Sequence, residues 1–542
     1  MTIPISRRHF LQLAGAVGGS AGAYQVALGL GLVPNTPPVP RPEIAALDAR
    51  RGPSVVILGA GISGLTAAYE LGRKGYRVTV LEASHRAGGR NLTLRHGDLI
   101  DEIGAPRRCE FDSDPELFFN AGPARIPQHH TALLGYCREL GVALAPFVND
   151  NHSTWVQDDG SFGGRRIRNR ELMTDARGFI AELAAKSIKA EDLAAPLTPD
   201  DLERVRNFLR QFGALNDKFA YLGSSRAGLA TYDYSAPNVR KPTLDFHELL
   251  RSDLFAPMSR EGGTRMDFAE TVDQAPMMME PVGGMDQVVA GFLRHVGKSV
   301  RLNSPVESVQ LQEHGVRVAY RDGGTRAVIE ADYCLNCIPA TIMKGIDNNF
   351  PADYAKAIAA LPNGKLFKIG FQAKERFWER EGIYGGISWT SQDILQIWYP
   401  AHGIHGKRGV ILGAYTFEDE VGDRWAGMAP DQRIEAAIVQ GEKLHPGYRG
   451  FVERGLSVPW TKMNHLRGCA AKWNEELRAQ WFKTLQEPAG KHYLVGDQVS
   501  YNTGWQEGAI HSAYHAIADI DRRERAMPAA ARARMSARSA LS

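Results

Sequence analysis

Three glycines, Gly59, Gly61 and Gly64, lie between an apolar run, Ser54 to Leu58, and a stretch from Leu65 to Gly72 with apolar positions 65, 68 and 71 at helical spacing. A second apolar run, Val78 to Leu81, ends on Glu82. Strand, glycine turn, helix, strand and acid in that order read as a dinucleotide-binding βαβ unit. Gly59 permits the tight turn, Gly61 lets backbone N–H groups approach a pyrophosphate, and Gly64 allows close helix–strand contact; Ser63 sits in the same turn. The helix N-terminus would hold the phosphate charge through unpaired N–H groups and its dipole. Glu82 is placed to accept hydrogen bonds from a ribose and to disfavour a 2′-phosphate.

Just downstream come Arg86, Gly88, Gly89 and Arg90. With Glu82, this cluster resembles the second motif of the flavin-containing amine oxidase superfamily, which implies FAD as cofactor. There the Gly-Gly backbone and both arginines lie along the pyrophosphate, a role that suits bidentate guanidinium contacts. A second match is near the far end, where Tyr493 to Val495 reads as a buried strand before Gly496-Asp497 and Gly504-Trp505-Gln506-Glu507-Gly508. This resembles the family's closing motif and implies that Asp497, in place of the usual Glu, faces the ribityl chain. Gly504 and Trp505 would then wall the active site. Between these ends, Val306 to Leu311, Val316 to Tyr320, Ala327 to Ile329 and Tyr333 to Ile338 alternate and are joined by turn residues, so they read as an antiparallel meander. The resemblance puts the Val306 backbone at the adenine. Cys334 and Cys337 point to opposite faces of the last strand and read as packing residues.

A substrate carboxylate buried beside a flavin needs a buried cation, and arginine is the best match for it. Gly122-Pro123-Ala124-Arg125-Ile126-Pro127 resembles the motif of bacterial FAD-dependent L-amino acid oxidases whose arginine grips that carboxylate. The same resemblance implies that Tyr415, on the apolar run Val410 to Tyr415, supplies a second hydrogen bond, and that Phe417 lines the pocket. Lys368, in an apolar strand pattern, would hold a water near the flavin. Trp460 would stand near that lysine, Ala470 would leave room for a bulky side chain, and Phe255 would cap the cavity. The activity implied is hydride transfer from Cα to flavin N5 of FAD, giving 2-oxo acid, ammonia and hydrogen peroxide from an L-amino acid and oxygen. A plain amine oxidase, a decarboxylating monooxygenase and a noncatalytic exported flavoprotein remain the alternatives.

Holding these residues together calls for an α/β architecture in which a Rossmann-like FAD-binding domain is interleaved with a mixed-sheet substrate domain and a helical insertion. The 542 residues divide accordingly. The FAD-binding segments are 52–105, 272–345 and 486–526, the substrate segments 106–165 and 346–485, and the helical insertion 166–271. Residues 1–40 read as a twin-arginine signal and linker, from Arg7-Arg8, an uncharged glycine-diluted stretch and a proline-rich segment. That predicts transient contact with the export machinery and a periplasmic or secreted destination in a bacterium. Residues 527–542 read as a flexible basic tail.

Composition excludes much else. Lys and Arg number 64 against 61 acids, a net charge of +3, which offers no field for nucleic acid. Five cysteines rule out a disulfide scaffold. No His-Glu-x-x-His or Gly-x-Ser-x-Gly motif is present, and His402 and His405 lack a third ligand nearby, so no metal is expected. A homodimer is the expected assembly.

Overall fold

The computed structural model describes residues 40–47, 52–188, 197–252 and 267–526. The twin-arginine segment, Phe255 and the basic tail lie outside the described residues.

Five parallel strands form a sheet in the order Val300–Arg301, Arg77–Leu81, Ser54–Leu58, Tyr333–Asn336, His492–Leu494. Its central strand is buried on both faces, which is why Ser54 to Leu58 is a continuous apolar run and not an alternating one. Val55 and Ile57 pack with the helices Ile62–Gly72, Asp286–Val296 and Gln506–Ala526 on one side. Val56 and Leu58 face the other way, onto Val309, Val316 and Val318 of a second sheet.

That second sheet holds the antiparallel strands Val306–Gln312, Gly315–Asp322 and Thr325–Ala331, with a short parallel strand, Asp347–Asn348, at its edge. The meander expected from sequence therefore has three strands. Its supposed fourth, Tyr333–Asn336, pairs in parallel with Ser54–Leu58 and His492–Leu494 and belongs to the first sheet. Short apolar strands look alike in either setting, and only the partner distinguishes them. Cys334 packs on the meander side, while Cys337, just past the strand end, packs on the helical side.

A mixed sheet of seven strands carries the remaining chemistry. Its order is Ile167–Arg168, Trp155–Gln157, Gly386–Thr390, Gln396–Tyr399, Gly409–Thr416, Phe367–Ala373, Val452–Pro459. Phe367, Ile369 and Phe371 pack on one face against Trp425 and Tyr448. The alternate residue Lys368 is thereby turned to the opposite face, where Trp398, Leu412 and Val458 are buried. Beneath the sheet, Glu102 accepts hydrogen bonds from Arg107 at 2.6 Å and from Arg433 at 3.1 Å, and the Glu102 and Arg433 side chains are both 2% exposed.

Three helices, Asn169–Ser187, Pro199–Phe212 and Phe246–Arg251, lie together in the segment expected to be helical. Leu172 and Ala176 anchor the first of them in the core beside the mixed sheet. Among the described residues no helix is long and apolar enough to cross a membrane.

Candidate active site

The two main sheets meet around a cavity of about 480 Å³. Every described residue singled out from the sequence for cofactor or substrate lines it except Gly64. Gly64 lies behind the wall: a Cβ there would stand 2.1 Å from the Gly59 carbonyl oxygen, so the helix can approach the turn only with glycine at this position.

Gly61 is the N-cap of helix Ile62–Gly72, with no side-chain cap and no acid in the first turn. A Cβ on Gly61 would meet nothing within 4 Å, so the open helix end faces free space. Glu82 accepts from the backbone N–H of Ala60 at 2.7 Å and of Ser84 at 2.9 Å, leaving lone pairs for a diol. Burial pushes its carboxyl above the usual range, and those two N–H groups pull it part of the way back. Arg86 donates to the carbonyls of Ala87 at 3.1 Å and Gly89 at 2.6 Å, and no described carboxylate lies within ion-pair distance of it. Asn91 Oδ1 is buried without a partner in the same wall. An uncapped helix terminus, an uncompensated guanidinium, a diol acceptor and an orphaned amide oxygen together fit a dinucleotide such as FAD.

Arg90 and Asp497 are joined to each other. The guanidinium donates through Nη1 to Asp497 Oδ2 at 3.0 Å and forms a second, shorter contact with Oδ1. The Gly504 N–H also donates to Asp497 Oδ2, at 2.8 Å. The acid expected at the ribityl chain thus also holds the Gly504-Trp505 turn and an arginine expected at the pyrophosphate.

Arg125 is 7% exposed. Its Nε donates to Gln274 Oε1 at 3.0 Å, its guanidinium carbon lies 4.4 Å from the centre of the Trp398 ring and 5.7 Å from that of Trp505, and no described carboxylate pairs with it. Burial lowers its pKa to about 10. Lys368 lies opposite Tyr415 in strand register, with Nζ 4.5 Å from the tyrosine ring centre. It donates to the carbonyls of Gly122 and, at 3.4 Å, Asn120. Burial, and then repulsion from Arg125, lower its pKa to about 7. Burial raises the pKa of Tyr415, and its hydroxyl makes no hydrogen bond to another described side chain. The Phe417 ring is 4.5 Å from that of Tyr415. Among the described residues, neither Arg125 nor Lys368 at the substrate end of the cavity has a paired anion.

The comparisons fit this geometry. A family model described as flavin-containing amine oxidoreductase matches residues 62–520. The chain belongs to that family. It is a flavin-dependent oxidoreductase, and FAD is its cofactor. The chain is 27% identical over 491 residues to the flavin-dependent L-tryptophan oxidase RebO of Lentzea aerocolonigenes, covering 86% of this chain and 98% of that protein. It is 26% identical over 478 residues to an L-amino-acid oxidase of Pseudechis australis, covering 86% of each. A putrescine oxidase structure shares the fold with a TM-score of 0.59 at 20% identity, over 87% of this chain and 99% of that one.

The sequence did not point to Gln274 or Trp398, two of the residues that hold Arg125. Gln274 is 149 positions from Arg125, and Trp398 lies on a different sheet strand, so no local pattern joins them. His402 and His405 do not come together as ligands: His402 stacks on Phe118, and His405 stands edge-on to Tyr384. A different cluster, His129, His130 and Asp273, does converge. The exposed Arg251 side chain pairs with Glu248 on its own helix.

Proposed function

We propose that this flavoenzyme is an L-amino acid oxidase, converting an L-amino acid, oxygen and water to a 2-oxo acid, ammonia and hydrogen peroxide. The observation that carries the reading is Arg125, a buried guanidinium facing the cavity with an amide and three aromatic rings for partners and, among the described residues, no paired carboxylate. A buried cation left without a counter-ion favours a ligand that brings one, and a substrate carboxylate is planar and bidentate as the guanidinium requires. The relatives named as L-amino-acid oxidases support the same reading.

Arg125 binds the carboxylate, and the Tyr415 hydroxyl, free of other side-chain partners, donates to it. Together they fix two of the substituents on Cα and so its orientation. FAD, when bound, would supply a hydride acceptor that oxygen can reoxidise. In its neutral form Lys368 places its two N–H bonds on the Gly122 and Asn120 carbonyls, which leaves its lone pair to accept a proton from a water. A pKa of about 7 makes that form available at neutral pH. Phe417 and Trp505 exclude bulk water from the reacting end. We also propose export by the twin-arginine route, on the strength of Arg7-Arg8 and the stretch that follows.

The test is peroxide release from L-amino acids and from the amines that lack only the carboxyl group, by the native enzyme and by Arg125→Ala. L-Amino acid turnover by the native enzyme, with kcat/KM falling ~10²-fold or more in the variant, is expected, since a lost charged hydrogen bond leaves a buried ion unpaired. Preferred turnover of the amines, unchanged in the variant, would establish a plain amine oxidase instead.

A further inference from the structure

Helix Thr131–Glu139 is entered through two adjacent histidines, and both imidazoles reach one carboxylate. His129 Nε2 lies 2.9 Å from Asp273 Oδ1, and His130 Nε2 lies 3.4 Å from the same oxygen. All three ligand atoms are within 4.8 Å of one another. Around a tetrahedral zinc ion, with bonds of about 2.0–2.2 Å, ligand atoms stand about 3.3 Å apart, so the triad is near that spacing without a large rearrangement.

Independent features of His130 mark the cluster as more than a surface ion pair. The residue is 1% exposed, so its imidazole is held inside the protein and not on its surface. Its ring stands edge-on to Trp505 with centroids 5.0 Å apart, which fixes the imidazole with Nε2 delivered to Asp273. The side-chain amide of Asn502 lies 3.4 Å from that same Nε2, and a flip of the amide would turn its oxygen toward the site. His129 is exposed, so an ion can enter from solvent. Two imidazoles and one carboxylate oxygen suit a divalent ion of the zinc, cobalt or nickel class and are poor ligands for calcium or magnesium.

We propose that His129, His130 and Asp273 form a binding site for a zinc-class divalent ion that fastens the Asp273-Gln274 segment to the start of helix Thr131–Glu139. Gln274, the next residue, is the hydrogen-bond partner of Arg125, so the ion would act as a clasp behind that guanidinium. Three protein ligands leave a fourth position for water or the Asn502 amide.

The full-length FAD-loaded protein, prepared without a histidine tag and stripped with a chelator, is dialysed against micromolar zinc and its metal content measured. One zinc per chain is expected, together with a rise in Tm. In His129→Ala and Asp273→Asn, occupancy should fall at least tenfold at the same free zinc and the rise in Tm should vanish. The flavin absorbance of each variant verifies that it is folded. No retained zinc in the native protein, or zinc retained equally by both variants, would overturn the proposal; the second result would place the ion elsewhere.

Discussion

The Arg125 guanidinium is held by the Gln274 side chain through an amide oxygen, Nε to Oε1 at 3.0 Å, where a glutamate of nearly the same shape would have cancelled its charge. That choice keeps the cation available to a ligand. Gln274→Glu should therefore leave the fold intact and raise KM for an L-amino acid by roughly 10–100-fold, the cost of competing with a built-in charged partner. Steady-state peroxide assays against a matched amine separate this from general damage. An unchanged KM would mean that Arg125 does not bind the carboxylate.

Lys368 gives a pH signature in stability. Its folded pKa, about 7, lies below the value of 10.5 for a free lysine. Between those values the unfolded chain binds the extra proton, so stability rises with pH across that window, and the full penalty applies below about pH 7. Lys368→Met should remove a penalty on the order of 4 kcal/mol at neutral pH, with an advantage that fades toward pH 10. Thermal melts of both proteins from pH 6 to pH 10 measure it.

The same residue predicts a pH profile for turnover. With neutral Lys368 as the form that takes a proton from water, kcat should rise through an apparent pKa near 7, and that limb should be missing in Lys368→Met. A matching limb in the variant would assign the titration to another group.

Gly61 tests the cofactor cradle by volume alone. Its φ of −73° is open to any residue, and an added Cβ meets no protein atom, so Gly61→Val should fold. The side chain would instead occupy the space at the helix terminus where phosphate belongs. The ratio of flavin to protein absorbance should drop severalfold, with little change in the far-ultraviolet circular dichroism.

Arg433 and Glu102 make a buried pair that Arg107 joins. Arg433→Met would leave the carboxylate with a single partner and should destabilise the fold by about 3–5 kcal/mol, as broken buried pairs do. Denaturant unfolding of the FAD-loaded protein reads the loss.

The cofactor half of the cavity was legible because phosphate binding is written in a local turn: Gly59, Gly61 and Gly64 declare it within six positions. Arg125, Tyr415 and Lys368 could be found through motif resemblance, and the cavity brings them together. Their supports could not. Gln274 and Trp398 act on Arg125 only because segments far apart in the chain meet, and Asp273 lies 144 positions from His129, so neither spacing nor composition hints at either contact. Tyr333–Asn336 went to the wrong sheet for the same reason, since a four-residue apolar strand carries no record of its neighbours.

The parallel sheet takes its central strand, Ser54–Leu58, from near one end of the chain and its edge strand, His492–Leu494, from near the other. Asp497 and Gly504, which follow that edge strand, close the cavity begun by Gly61. A product truncated before His492 would thus lack the wall that Asp497 and Gly504 form and should hold no flavin. Flavin binding therefore draws on segments from near both ends of the described chain at once.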